Sequence, residues 1–180
     1  MVVKDLIKNN TILASVLLIM VACGSPHQPQ KSNSMEENAK SNPYYRKGDT
    51  AKVTLSDAEW QKVLNPELYY IAREKGTERP FTGKYNEFDQ KGNYYCAACG
   101  HHLFRSDQKF ASTCGWPSFY ESIKGGVRYL RDSSHGMERI EVVCNKCDSH
   151  LGHVFNDGPP PTGVRYCMNS VSLNFEPDQP

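Results

Sequence analysis

The sequence predicts a mainly β domain of the α+β class, with antiparallel sheets and short helices at its N-terminal end. Three observations predict it. Helical periodicity is confined to residues 56–76, and short alternating stretches follow it. Eleven Pro and thirteen Gly punctuate the chain with turns. Helices first and strands later, with no alternation between them, favour α+β over a parallel βαβ arrangement.

The first 22 residues read as a signal peptide. Lys4 and Lys8 form a short positive region, and Ile12–Ala22 is an apolar run of eleven residues broken only by Ser15. A membrane-spanning helix needs about 20 apolar residues, so this run matches the core of a secretory signal instead. Met20-Val21-Ala22-Cys23 is similar to the lipobox of bacterial lipoproteins. That similarity implies cleavage before Cys23, lipidation of Cys23, and a cell-envelope location outside the cytoplasm, anchored to a bacterial membrane. An ordinary signal peptide or an uncleaved anchor is the plainer alternative.

Residues 23–50 are assigned to the lipidated cysteine and a flexible tether. Residues 24–43 hold three Pro, four Ser, three Asn and no aromatic residue. Such a stretch buries too little apolar surface to offset its ordering entropy. Composition changes at Tyr44-Tyr45, and residues 51–177 are assigned to the folded domain.

Ser56 and Glu59 form a capping-box pattern, and Trp60, Val63 and Leu64 follow at helical spacing. Asn65-Pro66 starts a second helix, whose stripe is Leu68, Ile71 and Ala72, with Gly76 as its expected stop. Strands are expected at Val127–Arg131, Arg139–Cys144, Leu151–Phe155 and Ser170–Phe175. In the last, Val171, Leu173 and Phe175 alternate with Ser172 and Asn174.

Charge excludes some function classes. The chain of 180 residues has 21 basic and 20 acidic residues, a net of +1. Loss of residues 1–22 removes two Lys and one Asp, leaving 19 of each sign. No basic face for nucleic acid is expected, and no phosphate-cradling Gly loop is present.

The seven cysteines carry most of the chemical information. Cys96 and Cys99 form one C-x-x-C pair, and Cys144 and Cys147 a second. Two such turns brought together make the tetrahedral sulfur site that zinc favours, one structural zinc per chain. The 44 intervening residues exceed zinc-ribbon spacing, so the pairs must meet through tertiary structure. Two disulfides or two redox dithiols are the competing readings.

Cys114 and Cys167 remain, if Cys23 is acylated. Arg165 is placed to favour a Cys167 thiolate, the nucleophilic form. A structural disulfide or two buried thiols would serve the same two cysteines. His150 and His153 follow the second pair closely; four cysteines already complete a zinc shell, so these imidazoles suit general-acid work. His27, His101, His102 and His135 read as surface or structural residues.

The motifs form an ordered set. They include Thr77–Gly83, Tyr95–Cys99, Cys114–Phe119, Cys144–Cys147, His150–Phe155, Asp157–Pro159, Arg165–Cys167 and Asn169-Ser170. Over about residues 54–176 this set resembles the B-type peptide-methionine-R-sulfoxide reductases. The resemblance implies zinc on the four paired cysteines, Cys167 as nucleophile on the sulfoxide sulfur, and Cys114 as the resolving cysteine. It implies Trp116 against the substrate methyl, with Phe155 beside it. His150, His153 and Asn169 then bind substrate or assist protonation, with Arg165 nearby. Met168 stands where another aliphatic residue is common.

The implied reaction makes a cysteine sulfenic acid and then a disulfide, recycled by a thioredoxin-like dithiol. The implied substrates are oxidised proteins containing methionine-R-sulfoxide. A non-catalytic zinc-stabilised binding module is the alternative. A zinc hydrolase or deaminase is disfavoured, because Tyr95 rather than Pro precedes Cys96.

Overall fold

A computed structural model describes residues 41–179. The expected signal peptide, Cys23 and most of the expected tether lie outside the described residues. Helix α1 spans Asp57–Val63 and α2 spans Pro66–Ala72. Nine strands follow: β1 Gly92–Cys96, β2 His102–Arg105, β3 Lys109–Phe110, β4 Ser118–Phe119, β5 Val127–Asp132, β6 Arg139–Cys144, β7 His150–Phe155, β8 Arg165–Met168 and β9 Leu173–Pro177. They form a three-stranded sheet ordered β2-β1-β9 and a six-stranded sheet ordered β3-β4-β8-β7-β6-β5. Every pairing is antiparallel.

The helices start where the sequence places them. Both arms of the Ser56–Glu59 capping box are made. Asn65 caps α2 by accepting the Leu68 N–H, with Pro66 in the first turn. Capping satisfies amide groups that a helix start leaves unpaired. Helix α2 stops earlier than expected: Arg73 is its cap, and the Gly76 N–H instead closes a turn onto the Tyr70 carbonyl. Trp60, Leu68, Ile71 and Ala72 are buried.

Aromatic packing joins the two sheets. Tyr94 of β1 and Phe104 of β2 both meet Phe119 of β4, with ring centroids 5.0 Å and 4.4 Å apart. All three rings are buried, and each such burial contributes roughly 1.5–3 kcal/mol.

Two expectations need correction. Residues 42–50, assigned to the tether, pack on the domain. Asn42 is 3% exposed and its Nδ2 donates to the Ala98 carbonyl at 2.8 Å. The Arg46 N–H donates to the Cys99 carbonyl, and Val53 N–H to that of Lys146. The sequence hides this because the contacts run to residues far along the chain.

The last expected strand also begins later. Ser170–Ser172 is a 3-10 turn, and β9 starts at Leu173. Its amides explain why: the Glu78 carboxylate accepts the N–H groups of Ser170 and Val171, and the Asn169 carbonyl accepts that of Ser172. Those donors are unavailable to a sheet ladder.

Candidate active site

Strand register assembles the site. His153 of β7 lies opposite Cys167 of β8, and Phe155 opposite Arg165. Alternate residues of a strand share a face, so these four side chains stand on one side of the sheet. Gly152, just before His153 and opposite Met168, has to be glycine, because a Cβ there would collide with the Cys167 carbonyl. On the other flank of β8, Ser118 of β4 lies opposite Cys167. The turn leading into β4 carries Cys114, whose Sγ is 3.5 Å from that of Cys167.

Above Cys167 is a slot of about 120 Å³. Trp116, His153, Phe155 and Asn169 line it, together with Thr77 and Arg139. Trp116 is held by its Nε1–H donating to the Glu78 carbonyl at 3.2 Å. Asn169 is buried, with Oδ1 accepting the Glu78 N–H and Nδ2 donating to the Leu151 carbonyl. Both ends of its amide therefore serve the scaffold.

The two histidines occupy different places. His153 lines the slot, whereas His150 faces a neighbouring cavity of about 340 Å³ that His153 and Arg139 also border. Their ring centroids are 5.4 Å apart. His150 Nδ1 is 2.8 Å from Glu141 Oε1, and His153 Nε2 is 2.7 Å from Asp132 Oδ2.

Burial raises the Glu141 carboxyl, but bonds from His150 and Lys75 hold it below its usual value. Asp132 is held far lower by Ser134, through both hydroxyl and N–H, and by His153. Ionised carboxylates only accept, which assigns protons to His150 Nδ1 and His153 Nε2. Burial, joined by the neighbouring Arg139 and His150, pushes His153 down more than Asp132 pulls it up.

Arg165 does not point freely at Cys167. Its Nε and Nη2 grip Asp157 at 2.9 and 2.8 Å, and its guanidinium lies 4.5 Å from the Phe155 ring centre. Arg165 favours the Cys167 thiolate, as expected, but does not decide its ionisation. Burial and the adjacent Cys114 push the Cys167 thiol up to about 12, outweighing Arg165. Burial opposes ionisation of Cys114 too, but Ser112, Ser118, the Trp116 backbone and Cys167 pull it down to about 7. The pair therefore loses its first proton near neutrality, and the charge rests on Cys114.

Thr77, Glu78, Asp132, Arg139, Glu141 and Asp157 also belong to the site, though the sequence does not single them out. Thr77, Glu78 and Asp157 stand inside the motifs, which is their only signal. The partners of the others come from strand register alone.

Away from the slot, Cys96, Cys99, Cys144 and Cys147 form one buried cluster, with every Sγ within 4.8 Å of the others. Two of the separations are 3.7 and 3.6 Å. A tetrahedral zinc with Zn–S bonds near 2.3 Å separates its sulfurs by about 3.8 Å. The four cysteines thus fit a metal ion. Both turns share one form: Gly100 and Asp148, with φ of 72° and 57°, return their N–H groups to the carbonyls of Cys96 and Cys144.

A family profile described as the SelR domain matches residues 64–177. The chain belongs to the SelR domain family. It is 59% identical over 128 residues to the Methanosarcina barkeri protein named peptide methionine sulfoxide reductase MsrB, covering 71% of this chain and 90% of that one. The Agrobacterium fabrum protein of the same name is 59% identical, covering 70% and 94%. That of Pseudomonas savastanoi pv. phaseolicola is 60% identical, covering 73% and 99%. In shape alone, the Mis18 'Yippee-like' domain matches 51% of this chain at a TM-score of 0.40 and 18% identity. The matched SelR region contains both C-x-x-C pairs, Cys114, Cys167 and every slot residue; the packed segment 42–53 and α1 precede it.

Proposed function

We propose that this chain reduces methionine-R-sulfoxide, using Cys167 as nucleophile and Cys114 as resolving thiol. The chain is an oxidoreductase, in keeping with relatives 57–60% identical to it that are named methionine sulfoxide reductases. The observation that carries the reading is the thiol pair: two sulfurs 3.5 Å apart, one at the base of a slot between Trp116 and His153.

A methionine side chain is thin and apolar, with one polar oxygen at sulfur. Trp116 and Phe155 supply apolar walls for its methyl group, and His153 stands where the oxygen would point. A pocket built this way distinguishes the two sulfoxide epimers, since exchanging methyl and oxygen buries the oxygen against an aromatic face. His153 is the proton donor of choice, because it lines the slot and His150 does not. His150 supports it from behind.

Cys167 reaches its thiolate by passing its proton to Cys114. The thiolate then attacks the sulfoxide sulfur as the doubly protonated form of His153, a minor species because its pKa is lowered, gives its Nδ1 proton to the oxygen. The S–S bond so formed breaks with its electron pair passing to the methionine sulfur while the hydroxyl moves to the Cys167 sulfur, which leaves methionine and a Cys167 sulfenic acid. Next, the Cys114 thiol displaces that hydroxyl, releasing water and forming the Cys114–Cys167 disulfide. A thioredoxin-like dithiol reduces the disulfide by exchange and becomes oxidised itself.

Zinc is the metal proposed for Cys96, Cys99, Cys144 and Cys147, one per chain. It would tie the two turns together and hold four thiolates out of the redox chemistry. Cys23 is proposed as a lipidated N-terminus that anchors the enzyme to an envelope membrane, where oxidised proteins are its substrates.

The test offers separate R and S epimers of a peptide methionine sulfoxide to the domain from residue 41, with dithiothreitol. Release of methionine from the R epimer alone supports the reading. Reduction of neither epimer by folded, metal-loaded protein refutes it.

A further inference from the structure

Glu78 has no place in the chemistry, yet it touches three parts of the site at once. Its carboxylate accepts the N–H of Ser170 at 2.7 Å and that of Val171 at 3.0 Å. Those amides open the 3-10 turn that begins three residues after Cys167. Its own N–H donates to Asn169 Oδ1 at 3.1 Å. Its carbonyl accepts the Trp116 indole N–H at 3.2 Å. One residue thus fixes the turn after the nucleophile, the Asn169 side chain and the wall of the slot.

The neighbourhood leaves room for this arrangement. A Cβ on Gly83 would overlap both Glu78 Oε1 and Ser170 Oγ. Ser170 Oγ in turn accepts the Tyr85 N–H, so the loop carrying Glu78 is stitched to the same turn twice. Two charge-assisted bonds from amides to a carboxylate are stronger than neutral ones. An amide in place of the carboxylate would offer one acceptor, and would set an NH₂ group against an N–H donor.

We propose that Glu78 is a positioning residue, whose carboxylate sets the distance between the Trp116 wall and the Cys167 sulfur. This rests on the reductase reading above. Glu78 touches no reacting atom, so its effect is on geometry, and misplacement by about 1 Å can cost on the order of a hundredfold in rate.

The test compares wild type with Glu78→Gln on the R epimer of a peptide sulfoxide, and follows 5-fluorotryptophan resonances in the same proteins. The chain has two tryptophans, so Trp60 in the core is an internal control, and Trp116→Phe assigns the signals. The expected result is a kcat about tenfold to a hundredfold lower, a smaller change in KM, a shifted Trp116 resonance and an unmoved Trp60 resonance. An unmoved Trp116 resonance overturns the proposal whatever the rates. If Glu78→Gln does not fold, Glu78→Asp carries both readouts: it keeps the charge but is one methylene short, and should shift Trp116 by less. Wild type that reduces neither epimer refutes the reductase reading, while the resonance still reports on positioning.

Discussion

Cys114 Sγ stands 3.5 Å from Cys167 Sγ, within hydrogen-bonding reach and only about 1.5 Å beyond a disulfide bond length. The two residues are 53 apart in sequence. Their proximity comes from β4 pairing with β8, which brings the Cys114 turn over the strand that carries Cys167. A small local movement is enough to join them. Cys167→Ser should therefore abolish turnover, while Cys114→Ser should release about one methionine per enzyme, more slowly for want of the Cys114 proton acceptor, and then recycle poorly with thioredoxin. Single-turnover chromatography of the peptide separates these outcomes.

The shared proton gives a pH signature. Cys114 is pulled down to about 7 by donors that include Cys167. Above that pH it is a thiolate and below it a thiol, so alkylation of the metal-loaded protein by iodoacetamide should rise from pH 6 to 8 and then level off. Cys167→Ala removes one donor to the thiolate, which raises the midpoint. Mass spectrometry of the labelled Cys114 peptide reads both effects.

Metal content should be one zinc per chain. Cys96→Ser removes one of four ligands from a buried cluster. Structural zinc contributes several kcal/mol to folding, so the thermal midpoint should fall by more than about 10 °C. Metal analysis beside a melting curve checks this; a metal-free wild type with intact stability would count against the zinc reading.

Asn42 should matter to stability although it stands in a stretch that reads as tether. Its buried side chain donates to Ala98 and accepts the Tyr44 N–H. Asn42→Ala leaves the Ala98 carbonyl without that donor, at a cost of about 1–3 kcal/mol. Urea denaturation measures the difference, and an unchanged midpoint would show that segment 42–53 is not coupled to the domain.

Lipidation is tested directly. Metabolic labelling with a palmitate analogue should mark the full-length protein and be lost in Cys23→Ala. Labelling that persists in the variant, or never occurs, removes the anchor.

The sequence by itself determined what a few neighbouring residues can encode. Ser56 with Glu59, and Asn65 with Pro66, set helix starts because capping is settled within one turn. Cys96–Cys99 and Cys144–Cys147 announced thiolate pairs because the chelating unit is four residues long. The strands expected at 127–131, 139–144 and 151–155 were legible because each lies in a strand of six residues. Strands β1 to β4 and β8, of two to five residues, were not.

Only the tertiary structure decided which of these elements meet. It put His153 in the slot and His150 behind it, although only two residues separate them, because β7 registers on β8 at 153 and bonds Glu141 through 150. It turned 170–172 into a 3-10 turn because Glu78, 92 residues from Ser170, takes its amide. It placed the first negative charge on Cys114 and not Cys167, since hydroxyl donors and burial outweigh a single Arg165 already gripped by Asp157. These outcomes depend on long-range register and local dielectric, which no run of adjacent residues specifies.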